Sequence, residues 1–403
     1  MRSSRKKNHN KKSLYIMIFV FSFLLFLLLV LCTLIFTNTL DFSPKQTPEA
    51  ETKPAPVVVD AVAIPEPETQ VEVVSESRDI SIVFTGDICL EYAAPHNYET
   101  SGILGVLSED MLADLTSADI LMINNEFPFT TSDDKWPDKK FNFKVDPKYV
   151  SVLTDMGVDI ATLANNHALD YGRSGLIDSI NTLESVGIKT SGAGNSLAEA
   201  SALKIFEVED KTFGFLSASR VIPSGAWNIT DCQPGLFCTY DEKLLVKAIE
   251  EARSQVDFLF VYVHWGIERV EYPENYERDL ATKYIQAGAD AVIGTHPHVL
   301  QGIEFIEGKP VFYSLGNFIS SSTINKTMAI KITVKPDGST VYSLIPAAAT
   351  NYFTFKLSGD DAINVLSYVN EISYNATAMI DGTVLEGTID QFTNTTSDDL
   401  SSQ

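Results

Sequence analysis

Histidines in this sequence are concentrated in a few motifs. Four of the six histidines fall in three short stretches, LANNHALDYG with His167, VHWGIE with His264, and GTHPHVLQGIE with His296 and His298. Two acidic residues stand at the ends of apolar runs, Asp87 in FTGDICL and Glu126 in NNEFPFT. Imidazole and carboxylate groups delivered from the ends of several strands are the ligands of hydrolytic centres with two cations. We therefore predict one site, assembled from distant parts of the chain.

The elements that must position these residues follow an alternating pattern. Short β-branched runs alternate with amphipathic stretches from Ile80 onward, which indicates an α/β layered domain. The predicted strands are ISIVFTG, DILMINNE, DIATLAN, DFLFVYVHW and DAVIGTH, and the predicted helices cover 104–118, 147–156, 174–186, 241–254, 276–287 and 360–371. A hairpin is predicted within KIFEVEDKTFGFLSAS, and two further strands around a turn at Pro336, Asp337 and Gly338. Each motif falls where a strand meets its following loop, which is where open α/β sheets bind ligands.

Each candidate residue also has an ordinary structural interpretation. Asp87 follows Gly86, which we expect to allow a sharp turn, and an aspartate there could equally cap the next helix. Glu126 could be an exposed turn residue, and the asparagine pair that ends in Asn166 could simply form a turn. His264 could be a hydrogen-bonded core histidine. Taken one by one, both interpretations stay open, and the combination of these residues favours a metal site.

The N-terminal region has the features of a membrane anchor. A basic tail at 1–13 carries six cations and is followed by an unbroken apolar run at 14–36. About 20 apolar residues suffice to cross a bilayer as a helix, and the positive-inside tendency keeps the basic side in the cytoplasm. A cleaved signal peptide is the competing interpretation, but its apolar core is normally about 7 to 15 residues long. We therefore expect a single-pass signal-anchor in the cell membrane, with the rest of the chain extracytoplasmic.

Composition divides the remainder into three parts. Residues 37–78 are rich in proline and glutamate and predict a disordered linker. Residues 79–375 form the predicted folded domain, and 376–403 predict a polar acidic tail.

Cys232 and Cys238 are close enough in sequence to form a disulfide outside the cytoplasm. The sequence alone does not decide whether this disulfide forms.

The net charge restricts the class of partner. The chain carries a formal net charge of −23. Such an acidic chain does not bind nucleic acid through a basic surface, because its average field repels polyanions. Any anionic substrate would have to be received by bound cations or by a local basic patch.

The motifs occur in an order that resembles a known family. FTGDICL, NNEFPFT, NNHALDYG, HWGIE, GADAVIGTHPHVLQGIE and YSLGNFI follow one another over residues 80–319. This series resembles the CapA family, also called PgsA-like proteins, of capsule and poly-gamma-glutamate biosynthesis. The resemblance implies a metallophosphatase-type α/β fold, a four-layer α/β/β/α sandwich around two sheets.

The same resemblance implies a role for each motif residue. Two divalent metal ions would be bound, with manganese, iron or zinc as candidates, and they would activate a water molecule. His167 would donate a proton to the leaving group. The first metal would be bound by Asp87 and His298, the second by Asn166, His264 and His296, and Glu126 would bridge the two.

The sequence also departs from the superfamily pattern. The first motif of the superfamily is DxH, and here the corresponding residues are Asp87, Ile88 and Cys89, so one imidazole ligand is absent. The second motif normally supplies an aspartate, and here it supplies Glu126. For Cys89, a small hydrophobic role is favoured over a metal-binding thiolate.

These features lead to one hypothesis and two alternatives. The chain is predicted to be a membrane-anchored extracytoplasmic protein of poly-gamma-glutamate or capsule polymer biosynthesis or export, in a membrane complex with polymer synthase proteins. The first alternative is an extracytoplasmic metal-dependent phosphoesterase of a small or lipid-linked phosphate ester. The second is a site that binds metal or polymer carboxylates without catalysis. Polyglutamate contains no phosphate ester, so the polymer itself is not the substrate of a phosphoesterase.

Overall fold

The computed structural model describes residues 78–388, except for residues 138, 231 and 232. The basic tail at 1–13, the anchor at 14–36, almost all of the linker and the end of the acidic tail lie outside the described residues. Within the described ranges, no helix is both long enough and apolar enough to cross a membrane. The N-terminal anchor stays a prediction.

The first sheet has a parallel half and an antiparallel half. Its parallel strands are β1 (Ile80–Ile88), β2 (Ile120–Asn125), β3 (Ile160–Thr162) and β4 (Lys189–Ser191), in that order. The antiparallel half continues from β1 through β14 (Ile324–Val334), β15 (Thr340–Thr350), β18 (Thr383–Glu386) and β17 (Ala376–Ala378). Two short strands flank this path, β13 (Asn317–Ile319) beside β1 and β16 (Phe353–Lys356) beside β15. Strand β1 is therefore central, and it carries Asp87 near its carboxyl end.

The second sheet is parallel at its centre. Its strand order is β11 (Leu300–Ile306), β12 (Lys309–Leu315), β10 (Ala291–Thr295), β9 (Phe258–His264), β7 (Lys211–Ser219) and β6 (Lys204–Val208). Strands β12, β10, β9 and β7 are parallel, and the edge strands β11 and β6 are added by antiparallel hairpins. A small ribbon pairs β5 (Ala193–Gly194) with β8 (Gly235–Leu236). The central parallel strands thus end at the same edge of the sheet.

Apolar residues on both faces of the strands hold the layers together. In β1, Ile82 and Phe84 face the second sheet and pack in one cluster with Phe215 and Phe260. The alternate residue Val83 belongs to the cluster on the opposite face, as the two-residue period of a strand requires. Sheets covered on both faces have continuously apolar strands, which explains why the predicted strands read as unbroken runs.

Helices cover the outer faces of both sheets. The helices are α1 (Ala93–Ser101), α2 (Glu109–Thr116), α3 (Ser151–Asp155), α4 (Gly172–Ser185), α5 (Leu197–Ala200), α6 (Lys243–Arg253), α7 (Asn275–Ala287) and α8 (Gly359–Ile372). Buried residues of α2, α3 and α4 pack on the first sheet, and those of α6 and α7 pack on the second. Helix α8 contributes Val365 and Val369 to the core between the sheets. The predicted α/β class is confirmed, with two facing sheets between layers of helices.

Two of the predicted helices differ from the structure by more than their end residues, and one helix was not predicted. The segment predicted as a helix at 104–118 is a 3₁₀ turn, Gly102–Gly105, followed by α2. A Cβ on Gly105 would lie 2.2 Å from the Asn97 carbonyl oxygen, so the 3₁₀ turn packs closely against α1. The segment 147–156 begins as a 3₁₀ helix, Pro147–Val150, in which the Asp146 side chain accepts from the Lys148 backbone N–H. Helix α1 was not predicted, because only Ala94 of its residues is buried and no apolar period marks it.

The predicted C-terminal tail begins too early at residue 376. Residues Ala376–Ala378 and Thr383–Glu386 pair with each other as β17 and β18, and β18 pairs with β15. Ala376, Ala378 and Val384 are buried in the core between the sheets. The short apolar residues of these strands are separated by polar ones, which gave the segment the appearance of a solvated tail.

The first turn of α7 contains a carboxyl group that the fold buries at a cost. Glu277 is fully buried; its Oε2 accepts from the Glu274 backbone N–H at 2.8 Å, and its Oε1 has no hydrogen-bond partner among the described residues. Burial raises the pKa of Glu277 to about 7. The carboxyl group is charged above pH 4.5 in the unfolded chain but only above about pH 7 in the folded chain. Folding stability therefore falls as the pH rises from 4.5 to 7.

We expect Glu277→Gln to remove this pH dependence. The amide keeps an acceptor for the Glu274 N–H and carries no charge, so the variant should unfold at a higher urea concentration than the parent at pH 8. The gain should be on the order of 3 kcal/mol at most and should vanish near pH 4.5. The control is Glu250→Gln, at an exposed position of α6, which should match the parent at both pH values. A Glu277→Gln variant less stable than the parent at pH 8 would contradict the interpretation.

Candidate metal centre

The structure brings all seven predicted site residues to one end of the two sheets. Asp87 lies near the end of β1, Glu126 directly follows β2, and the pair Asn166 and His167 follows β3 in the first sheet. In the second sheet, His264 is the last residue of β9, and His296 and His298 follow β10. Because the parallel strands of each sheet end on the same side, residues far apart in sequence converge between the sheets.

The first group of candidate ligands contains Asp87, Glu126 and His298. Each offers a ligand atom within 4.8 Å of those of the other two. His298 Nδ1 lies 3.1 Å from Asp87 Oδ2 and 3.9 Å from Glu126 Oε2. Asn124 donates to Asp87 Oδ1 at 2.7 Å, and His298 Nδ1 lies 2.8 Å from Asn317 Oδ1. The two amides fix the carboxylate and the imidazole from either side.

The second group contains Glu126, His264 and His296, whose ligand atoms also lie within 4.8 Å of one another. His264 Nε2 lies 3.7 Å from Glu126 Oε1 and 3.1 Å from Asn166 Oδ1. The rings of His264 and His296 have centroids 4.7 Å apart. Glu126 therefore belongs to both groups, one carboxylate oxygen facing each, and Asn166 adjoins the second.

Two polar atoms at the centre have no partner. Glu126 Oε1 and His296 Nδ1 are buried and make no hydrogen bond within the described part of the chain. Unsatisfied buried polar atoms are rare in folded proteins, since each costs about 1 to 3 kcal/mol. A cation between them would coordinate both atoms. The donors, which are carboxylate, imidazole and amide groups, suit divalent ions such as manganese, iron or zinc.

The electrostatics also favour positive charge at this position. Burial and the neighbouring Asp87 raise the pKa of Glu126 well above its usual range. Burial acts to lower the pKa of His298, but Glu126 and Asp87 outweigh it and raise this pKa to about 10. Burial lowers the pKa of His264, and lowers that of His296 to about 4, so these imidazoles are neutral, the form that binds metals. The residues present therefore fit two divalent cations.

His167 belongs to a separate hydrogen-bonded unit beside the second group. Its Nδ1 lies 2.7 Å from Asp170 Oδ2, and its ring stacks on Phe143 with centroids 4.2 Å apart. Lys139 Nζ forms an ion pair with Asp170, lies 3.0 Å from His167 Nδ1 and donates to the Asn166 carbonyl oxygen at 2.6 Å. Asp170 and Phe143 thus fix the orientation of the ring and leave Nε2 as the ring nitrogen available for proton transfer.

Sequence reasoning missed several residues that hold the site together. Asn124 and Asn165 form a chain to Asp87, in which Asn165 donates to Asn124 Oδ1 at 2.9 Å. Their adjacent-asparagine motifs were a usable signal, although they read first as turns. Lys139 lies in the irregular segment DDKWPDKKFNF, where no period or spacing marks it. Asn317 lies in YSLGNFI, which the sequence identified as a family motif without a role for the residue.

Neither of the two described cysteines takes part in a candidate ligand group. Cys89 stands where the resemblance led us to look for a histidine ligand, yet it is absent from both groups of ligand atoms. Burial, together with the nearby Glu91 charge, raises the pKa of the Cys89 thiol well above its usual range. A protonated thiol is a poor metal ligand, in line with the small hydrophobic role. Cys238 is buried with a free thiol, and the partner of its suggested bridge, Cys232, lies outside the described residues.

Comparisons with known proteins identify relatives of the chain. It is 35% identical over 208 residues to the PGA biosynthesis protein CapA of Bacillus subtilis (strain 168), covering 50% of this chain and 53% of that protein. It is 29% identical over 215 residues to a "probable polyglutamine synthesis accessory protein" of Mycobacterium tuberculosis (strain CDC 1551 / Oshkosh), covering 51% of this chain and 56% of that one. The chain thus spans about half the length of these relatives.

Among solved structures, one described as a novel phosphatase from Mycoplasma pneumoniae is similar at 14% identity with a TM-score of 0.45. The match covers 68% of this chain and 95% of that one. At this level the likeness carries no weight for chemistry.

A family model gives the broader assignment. The model described as "Bacterial capsule synthesis protein PGA_cap" matches residues 81–322, which is more than half of the chain and contains all seven site residues. The family that the motifs resembled is thereby confirmed. The chain belongs to the bacterial capsule synthesis protein family PGA_cap.

Proposed function

We propose that the chain binds two divalent cations between its sheets and acts in the biosynthesis or export of poly-gamma-glutamate or a related capsule polymer. The observation that supports the cation site most directly is Glu126, which is shared by two groups of ligand atoms and has a buried, unpartnered Oε1. Asp87 and His298 would hold one cation, and His264, His296 and Asn166 the other. The family membership and the names of the relatives support the polymer role.

The proposal includes a location and partners. The basic tail and apolar run at 1–36 support a single-pass anchor with a cytoplasmic N-terminus and an extracytoplasmic domain. An exported polymer emerges on that side of the membrane. The chain would act there in a membrane complex with the polymer synthase proteins, and its net charge of −23 argues against nucleic acid as a partner.

A second candidate function is hydrolysis of a small or lipid-linked phosphate ester by the same metallophosphatase-like site. The observation that favours it is the unit formed by His167, Asp170 and Lys139, which a purely structural metal site does not need. When bound, two divalent cations would activate water and stabilise the charge that develops on a phosphoryl group. Asp170 orients His167, and His167 would deliver a proton from Nε2 to the leaving oxygen.

One experiment tests the cation site and separates the two functions. The full-length chain is loaded with manganese, and its metal content and phosphoesterase turnover are compared with those of Asp87→Ala and His298→Ala. We expect each variant to retain about one ion of two, because the second group keeps its own ligands. His96→Ala, in α1, is the matched control and should retain both ions.

The outcomes are distinct. No bound metal in the parent under replete conditions would contradict both functions in the form proposed here. Metal without turnover on a broad panel of esters would favour a site that binds cations or polymer carboxylates without catalysis. If the parent binds metal and hydrolyses esters, and both variants lose this turnover, the phosphoesterase is favoured.

A further inference from the structure

A cleft opens beside the first group of candidate ligands. It has a volume of about 300 Å³ and is bounded on the site side by His298 and Asn317. Its other walls come from the loop after β9, the start of β14 with the segment before it, and α8. His298, a candidate ligand in the first group, therefore borders both the metal centre and the cleft.

The backbone of Arg269, an exposed residue that lines the cleft, is held by local contacts. Its backbone adopts φ +64°, a conformation that non-glycine residues rarely adopt, and its N–H donates to the Pro297 carbonyl oxygen at 2.7 Å. Gln301 holds the next residue by donating to the Val270 carbonyl oxygen at 2.9 Å. These contacts fix the backbone of Arg269 against the turn that carries His296 and His298. Its guanidinium makes no ion pair within the described residues.

Lys326 is a second cation that lines the cleft. Its Nζ lies 3.2 Å from the centroid of the Tyr368 ring. Lys326 makes no ion pair with a carboxylate in the described part of the chain. The aromatic ring positions the ammonium group without neutralising it. Glu271 is the one acidic residue among the described residues that line the cleft, and it forms no ion pair with Arg269 or Lys326.

We propose that this cleft binds an oxyanion of the substrate through Arg269 and Lys326. The inference rests on the proposed function, since it places the rest of the substrate beside the cation site. In a chain of net charge −23, two unpaired cations facing one cavity form the local positive patch that an anionic ligand requires. The guanidinium fork matches either a carboxylate or a phosphate group. The ligand group is therefore a carboxylate of a glutamate polymer or a phosphate of an ester.

The test measures binding rather than turnover. The manganese-loaded full-length chain is titrated calorimetrically at low salt with a γ-linked glutamate trimer and, separately, with inorganic phosphate. We expect Arg269→Gln and Lys326→Gln each to weaken binding about tenfold or more, as loss of a charge-assisted contact does. Lys335→Gln, at the opposite end of β14, removes the same charge and should change affinity less than about twofold.

Each outcome decides the proposal. The proposal requires that both cleft variants weaken binding of the probe. If only the trimer binds, the ligand group is a polymer carboxylate; if only phosphate binds, it is the phosphate of an ester. The proposal is overturned if neither probe binds the parent, or if the cleft variants bind as tightly as Lys335→Gln. Metal content is measured on the same samples, so loss of the cation site is recognised independently of the cleft.

Discussion

Glu126→Gln is expected to lose both cations at once, whereas loss of Asp87 or His298 should affect one. Glu126 is the single residue that both ligand groups share, and its two oxygens face different groups. A neutral amide cannot replace a carboxylate that balances two cations. Because loss of an outer hydrogen-bonding partner already lowers metal affinity about 10 to 100-fold, loss of the shared ligand should exceed about 100-fold for each ion. Metal analysis after dialysis against a buffered manganese concentration measures this directly.

Thermal unfolding provides a second readout for the same variant. Without metal, burial and the neighbouring Asp87 raise the pKa of Glu126, so folding must either hold its charge or take up a proton; the neutral Glu126→Gln should therefore unfold at a higher temperature than the parent in chelator. With excess manganese the parent should unfold at the higher temperature, because only the parent gains stability from bound ions. Glu91→Gln is the control: Glu91 is also a buried carboxyl, but it belongs to neither ligand group. Equal metal content in Glu126→Gln and the parent would exclude the shared-ligand geometry.

The sequence predicted the ligand residues because their positions follow from the fold class. Asp87, Glu126, His264, His296 and His298 each end or follow a buried parallel strand, and parallel strands bring their carboxyl ends together. A short apolar run followed by a polar residue is visible without a structure. The residues that support the ligands are different, because Lys139 reaches the site from an irregular loop whose path depends on packing against His167 and Asp170.

Backbone conformation was the other feature hidden from the sequence. Gly86 was expected to permit a sharp turn, but it lies inside β1 without a positive φ. Its role is close approach, because a Cβ there would lie 1.9 Å from the Gly316 carbonyl oxygen. Conversely, His296 and His298 adopt φ of 100° and 59°, although neither is glycine. Such conformations cost about 1 to 3 kcal/mol and are typical of functional sites. There the side chains must be placed for function even where the backbone conformation is unfavourable for the residue type.

His167→Gln should lower phosphate ester turnover while leaving both cations bound. General acid catalysis contributes about 10² to 10⁴-fold, and only when the leaving group needs a proton. We therefore expect a loss of about 10² to 10³-fold with an alkyl phosphate and a much smaller loss with a nitrophenyl phosphate, whose leaving group departs as the anion. A merely structural role for His167 would reduce both rates equally. Equal losses with the two esters would thus contradict proton donation.

Lys139→Met extends this test to the residue that the sequence missed. Lys139 contacts Asp170, the His167 ring and the Asn166 carbonyl oxygen, so its removal should disturb the orientation of the proton donor. The variant should show the same dependence on the leaving group as His167→Gln, with a smaller loss. Lys140→Met is the matched control, because this neighbouring lysine is exposed and its ammonium lies over the Phe141 ring. If the two lysine variants have equal turnover, Lys139 only stabilises the loop, and orientation of His167 rests on Asp170 and Phe143 alone.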